Sequence, residues 1–400
     1  MFERYIARQP IFDQRMKVVA YELLFRASSR NVFEHRDNAS SSVIVDATML
    51  FDLQTLTGPA KAFINVDEAA LLRGAPKLLP KDRIVVEILE TVSPTSDVVR
   101  ACKELAEAGY VLALDDFLDQ PKWQPLVDLA TYLKIDFRAS DCDSRRIVAD
   151  RYRGGRVQLL AEKVETQAEL ASARSLGFTL FQGFFFAKPV VLEGRAIPSN
   201  RLAYVRLLEA ISTPELSVDK IELILKQEPS LIYKLLRYLN SPLLALRAEI
   251  HEIRDAVQLL GETEFRRWVS IVAVVAMSGD KPHELIRTAL TRAYYCEKLS
   301  KPVGMAAKSS DLFLMGLLSV TDALLDRPLH EILSHLPVSA EVRLALCGGT
   351  NEFRDVYNTV LCYERADWPA LSTAAGRLNC PEDQIPPCYL AAVERASAIA

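Results

Sequence analysis

Seven short apolar runs in the first half of the chain each hand over to a side chain that can bind a cation or move a proton. KVVAY (17–21) leads to Glu22, KAFI (61–64) to Asn65, RIVV (83–86) to Glu87, and VLAL (111–114) to Asp115 and Asp116. TYL (131–133) leads to Lys134, VQLLA (157–161) to Glu162, and FTLF (178–181) to Gln182. Polar residues open many loops, so one such position says little. As a set they say more, because ordinary loops open with Gly, Ser, Asn or Asp rather than with Glu, Lys and Gln. A face carrying Glu22, Glu87, Asp115, Asp116 and Glu162 needs counter-charge. Carboxylate and amide oxygens, without His or Cys, are the donors that suit Mg²⁺, Mn²⁺ or Ca²⁺. Two such ions can activate water and stabilise both oxygens of a phosphodiester displacement. Lys134 among the acids either positions that water or neutralises a phosphoryl oxygen. The residue types therefore point to a metal-dependent phosphoester site.

These side chains converge only if the runs are parallel strands with their C-terminal ends on one face. The intervening segments support that. SDVVRACKELAEAG (96–109) has apolar residues at helical spacing and a glycine stop, and TQAELASARSLG (166–177) starts at a Thr cap and ends in glycine. Strands alternating with helices predict a mostly parallel sheet, and seven or so units suit a closed TIM-like βα barrel better than an open sheet. VLEGRAIPSNR (191–201) lacks apolar periodicity and reads as the domain join. The expected domains are 1–196, an α/β barrel, and 197–400, an all-α domain. Helical segments are expected at 230–240, 254–261, 264–279, 284–300 and 311–326.

The 400-residue chain has room for two or three domains, and its composition, half apolar and a quarter charged, is that of a soluble globular protein. A net charge of −4 gives no basic footprint for a nucleic-acid polymer. The longest apolar runs, 269–277 and 312–320, are too short to span a bilayer, so no membrane partner is expected. The N-terminus has no signal-peptide core. Seven scattered cysteines without a CxxC pair read as reduced thiols and predict a cytoplasmic location.

The ordered motifs of the first half resemble the EAL domain of cyclic di-GMP phosphodiesterases. YELLFR (21–26) stands at the E-A-L-x-R signature, with Leu23 replacing Ala. FINVD carries Asn65, VVEILE carries Glu87 and Glu90, and LALDDF carries the double Asp. LKID carries Lys134 and Asp136, AEKVET carries Glu162 and Glu165, and FQGFFFAKP carries Gln182. The resemblance implies Mg²⁺ or Mn²⁺ held by Glu22, Asn65, Glu87, Asp115 and Asp116, and water activation by Lys134 and Glu162. It implies a cyclic di-GMP ligand held by Arg26 and Gln182, and leaves the roles of Glu90, Asp136 and Glu165 open. The family's reaction yields linear pGpG. Two departures stand out. The glycine-rich F-G-T-G loop after the double Asp is replaced by FLDQPKW (117–123), whose residues take positive φ less cheaply. Lys163 stands where the family has Gly, either adding a cation near the site or facing solvent.

The second half resembles the HDOD domain, an HD-related output domain, over 228–261, 265–269, 312–325 and 336–346. No His precedes Asp, and GLLSVTD (316–322) occupies the place of the metal-binding dyad, so this half is expected to be non-catalytic. His251, His283, His330 and His335 read as ordinary surface or core residues. A domain without chemistry acts by contact, so a protein partner is expected here. Arg266, Arg267 and Trp268 offer an anchor for it, or a solvated arginine pair beside a buried Trp. The resemblance also implies a homodimer through the barrel. The sequence favours cyclic di-GMP binding with weak or absent hydrolysis, and leaves open an active phosphodiesterase and an adaptor that binds no nucleotide.

Overall fold

The computed structural model describes residues 5–26, 53–188, 199–213, 215–226, 253–279, 281–336 and 338–399. The join at 191–198, the helix expected at 230–240 and His251 lie outside them. The chain divides into two compact units. One runs to Phe186 and includes Cys362–Pro369; the other comprises Ala187–Leu361 and Ala370–Ala400.

The first unit is a closed barrel of eight strands in sequence order. They are β1 (Tyr5–Asp13), β2 (Val18–Arg26), β3 (Lys61–Val66), β4 (Ile84–Ile88), β5 (Val111–Leu114), β6 (Tyr132–Asp136), β7 (Gln158–Glu162) and β8 (Leu180–Gln182). The expected barrel is present, with one strand more than the seven runs predict. β1 runs antiparallel to both of its neighbours, β2 and β8, while β2 to β8 are parallel. YIARQPIFD hides its strand character because Arg8, Gln9 and Pro10 interrupt its apolar residues. Pro10 fits there because its missing N–H is not required at every ladder position. β2 pairs with β1 as far as Arg26 opposite Tyr5, so Glu22 falls mid-strand and not at a strand end.

Local signals set the helices between strands. Ser96–Glu107 starts one residue later than its cap, Thr95, whose side chain accepts from the Val98 N–H. Gln167–Leu176 has a complete capping box between Thr166 and Glu169, and Gly177 ends it in the left-handed region. Inside the barrel, Ile11, Ala20, Phe63, Val85, Ala113, Leu160 and Leu180 form a buried layer, with Tyr132 packed against it.

The described residues of the second unit form helices and no strand. The two helices expected at 254–261 and 264–279 are both present within Ile253–Met277, separated by a kink at Gly261, whose φ of 75° and ψ of 162° are not helical. The helix expected at 311–326 breaks at Ser319–Val320 into Ser309–Leu318 and Thr321–Leu325. His283–Leu299 is buried over most of its length. Gly316 allows Ser309–Leu318 to approach it closely, since a Cβ there would sit 2.4 Å from the Arg292 carbonyl oxygen. No described helix is long and apolar enough to cross a membrane.

The anchor reading of Arg266–Trp268 is corrected. Trp268 is 0 % exposed and belongs to the core. Arg266 donates to Glu262, to the Ile211 carbonyl and, at 2.7 Å, to the Thr213 carbonyl. Arg267 pairs with Glu264 at 2.8 Å and with Glu297. The arginines tie the helices of this unit to one another. His283 and His330 are exposed, as read from the sequence.

Candidate functional site

Strand periodicity builds the site. Two residues further along each parallel strand from the apolar layer, the same inward direction recurs. Ala20 is followed by Glu22, Phe63 by Asn65, Val85 by Glu87, Ala113 by Asp115, Tyr132 by Lys134, Leu160 by Glu162 and Leu180 by Gln182. β1 runs the opposite way, so Ile11 is preceded by Gln9. Every strand thus contributes one residue to a polar layer stacked on an apolar one. Gln9 is the member the sequence reading missed.

Lys134 lies at the centre, 1 % exposed. Its Nζ is 2.6 Å from Glu162 Oε1, 3.0 Å from Asp115 Oδ1 and 3.5 Å from Glu22 Oε2, and it also pairs with Glu87. One ammonium faces four carboxylates. Burial alone would lower the Lys134 pKa, but Glu162, Glu22, Glu87 and Asp115 together hold it well above the ordinary value. Burial, reinforced by Glu22, raises the Glu87 carboxyl well above its usual range. Burial likewise pushes Glu162 up to about 8, against the pull of Lys134. Burial also acts to raise Asp115, but the charge and hydrogen bond of Lys134 win and hold it low. The cluster lacks positive charge, and protons fill part of the gap.

Gln182 closes the ring. Its amide donates to Glu22 Oε2 at 2.6 Å and to Gln9 Oε1 at 3.1 Å. Asn65 donates to Glu22 Oε1 at 3.2 Å. Both amides therefore aim their NH₂ groups at neighbouring oxygens, leaving Asn65 Oδ1 and Gln182 Oε1 buried without a hydrogen-bond donor, as is Asp116 Oδ1. Gly183 follows with φ 141°, and a Cβ there would sit 2.0 Å from the Val164 carbonyl oxygen. Only glycine lets the end of β8 pack on the turn after β7. The Q-G pair was the signal for it.

Carboxylate oxygens of Glu22, Glu87 and Glu162 come within 4.8 Å of one another, and so do those of Glu90, Asp115 and Asp116. The first group is buried and the second more open. An all-oxygen donor set with acceptor oxygens left over suits hard divalent cations. Glu90 lies beyond β4, exposed, and joins the outer group. Asp136 ends β6; its Oδ1 accepts from the Ala139 N–H at 3.1 Å and also from that of Arg138, and Lys163 Nζ is 2.5 Å from its Oδ2. Glu165 pairs with Arg138 away from the central layer. The Arg26 side chain lies outside the described residues, although its backbone ends β2.

FLDQPKW is built without the feature its composition makes expensive. The positive φ of this turn falls on Asp116 (40°), and residues 117–120 adopt none. The Phe117 N–H donates to the Lys134 carbonyl at 2.8 Å, and its ring meets Tyr152 edge-on at 5.9 Å. Asp119 accepts from Arg151 at 2.8 Å and from the Tyr152 hydroxyl at 3.1 Å. Pro121–Trp123 forms a 3-10 turn. The segment lines a cavity of about 270 Å³ together with Asp115, Asp116, Asp136 and Glu90.

A βα barrel with this polar layer, joined to a helical unit, is the architecture of an EAL barrel joined to an HDOD domain. Residues 44–189 match the EAL domain family and residues 197–325 the HDOD domain family. The chain belongs to the family of proteins that join an EAL domain to an HDOD domain. It is 35% identical over 373 residues to the cyclic di-GMP phosphodiesterase CdgJ of Vibrio cholerae serotype O1, covering 92% of this chain and 86% of that protein. It is 33% identical over 400 residues to the uncharacterized protein YuxH of Bacillus subtilis, covering 98% and 97%. Among solved structures, the Bacillus subtilis YkuI protein, with an EAL domain and in complex with substrate c-di-GMP and calcium, aligns at a TM-score of 0.39 and 17% identity, over 65% of this chain and 73% of that one.

Proposed function

We propose that the barrel binds cyclic di-GMP over the C-terminal ends of its strands and hydrolyses it slowly to pGpG with the help of divalent metal ions. The observation that carries this reading is the complete polar layer around Lys134, short of positive charge and with buried acceptor oxygens unsatisfied. Kinship with a named cyclic di-GMP phosphodiesterase over nearly the whole chain supports it.

Glu22, Asn65, Glu87 and Glu162 are the residues to hold an inner ion, and Asp115, Asp116 and Glu90 an outer one. When bound, Mg²⁺ or Mn²⁺ supplies Lewis acidity to water and to phosphoryl oxygen. The chain's own residues do the rest. Lys134, fixed from several sides, offers a cation that needs no reorganisation as charge develops on phosphate. Burial raises the Glu162 carboxyl to about 8, so without an ion it holds a proton near neutral pH, and once an ion displaces that proton its carboxylate can accept one from water. Gln182, held between Gln9 and Glu22, presents its amide oxygen to ligand or ion. The FLDQPKW segment forms one wall of the site and makes a stiffer lip than a glycine loop, consistent with slow turnover. The helical unit contributes contact with a protein partner and no chemistry.

The test is a calorimetric titration of the purified chain with cyclic di-GMP and Mn²⁺, with product analysis of the same sample. Binding with pGpG formation supports the proposal. Binding without pGpG makes the barrel a receptor. Neither signal leaves a protein–protein adaptor.

A further inference from the structure

Lys163 follows Glu162 directly at the end of β7, in the left-handed backbone region (φ 53°) that disfavours any residue with a Cβ. Its side chain is half exposed, yet it does not extend into solvent. It folds back so that Nζ lies 2.5 Å from Asp136 Oδ2 and 4.0 Å from Asp116 Oδ1. The ammonium thus sits beside the more open of the two carboxylate groups, Glu90, Asp115 and Asp116. Lys134 occupies the inner group in a different way. It is 1 % exposed among four carboxylates, whereas the Lys163 side chain is half exposed and paired with Asp136.

We propose that Lys163 is a tethered counter-ion that competes with a divalent cation for the outer carboxylates. This inference rests on the reading of the polar layer as a divalent-metal site. Full occupancy of the outer position requires the ammonium to move away from Asp116 and its charge to be tolerated nearby. Lys163 acts on Asp116 of the outer group more strongly than on Glu162 of the inner one. The chain therefore binds one ion firmly and a second only at higher metal concentration, and its hydrolytic rate follows the second.

Mn²⁺ binding to the full chain, measured by calorimetry without nucleotide, tests this for wild type, Lys163→Gly, Lys163→Gln and Lys163→Arg. Glycine suits the backbone conformation, and glutamine keeps the backbone strain while removing the charge. The wild type is expected to show a tight and a weak Mn²⁺ event. Lys163→Gly and Lys163→Gln should both tighten the weak event by at least about tenfold and leave the tight one unchanged, while Lys163→Arg should resemble the wild type. An unchanged weak event in both neutral variants would overturn the proposal, as would tightening in Lys163→Gly alone, which would assign the effect to the backbone. Absence of any Mn²⁺ binding by wild type would instead remove the metal-site reading itself, and this inference with it.

Discussion

At the centre of the barrel a single ammonium faces four carboxylates, and the chemistry of the site follows from that imbalance. Removing a partner from a buried ion cluster leaves uncompensated charge, which commonly costs about 3–5 kcal/mol. Lys134→Met should therefore lower the urea-unfolding free energy of the metal-free protein by about that amount, with Mn²⁺ restoring part of the loss. A variant as stable as wild type without metal would contradict the geometry. The proton on Glu162 gives a second prediction. Its carboxyl is raised to about 8, so near neutral pH the metal-free protein holds a proton that a bound ion must displace. The apparent Mn²⁺ affinity should rise as pH climbs towards that value and level off above it. Calorimetry in buffers of different ionisation enthalpy should show proton release that fades over the same range.

At the scale of the elements, the site is a consequence of strand register. Each parallel strand carries an apolar residue and, two positions on, a polar one, so closing the barrel stacks one layer on the other. This is why most of the site was legible in the sequence: seven of the eight members of the polar layer directly follow apolar runs. Gln9 was not, because β1 runs antiparallel and its polar member precedes the apolar residue inside a stretch broken by Arg8 and Pro10. Glu22 was found, but its position in the middle of β2 was hidden, since β1 extends the pairing to Arg26 while β3 pairs no further than Leu23. Sequence also overstated the difficulty of FLDQPKW. The residue types exclude a glycine turn, but the chain places its positive φ on Asp116 and ties Asp119 to Arg151 and Tyr152. Spacing cannot reveal such contacts. The turn after β8 has no such freedom. Gly183→Ala adds a methyl group where a carbonyl oxygen lies 2.0 Å away, and should destabilise the barrel by about 2 kcal/mol or more, measured as a lower denaturant midpoint. A neutral outcome would mean that the β7 and β8 ends pack less closely than described.

For the whole molecule, the helical half was read correctly as a class and less well in detail. Gly261 marked a real kink between two helices, but apolar periodicity did not mark the break at Ser319–Val320. The Arg-Arg-Trp anchor dissolved because a run of three neighbours points around a helix, sending Trp268 to the core and the arginines to acids on their own helix, to Glu297 and to the Ile211 and Thr213 carbonyls. With both clusters of metal-ligating side chains found among the described residues lying in the barrel, a divalent ion should stabilise one unit and not the other. Scanning calorimetry with Mn²⁺ at about a hundred times its Kd should raise the stability of one transition by about 2.7 kcal/mol and leave the other where it was. Equal shifts of both would argue against a barrel-only site.

Single-turnover formation of pGpG, with the full chain in excess over cyclic di-GMP at saturating Mn²⁺, decides whether the proposed polar-layer site cuts the dinucleotide. Wild type is expected to convert it slowly but completely, and Glu162→Gln to do so at least about a hundredfold more slowly while still binding it. No pGpG from wild type at saturating ligand and metal, or equal pGpG from both proteins, would contradict the proposed hydrolysis.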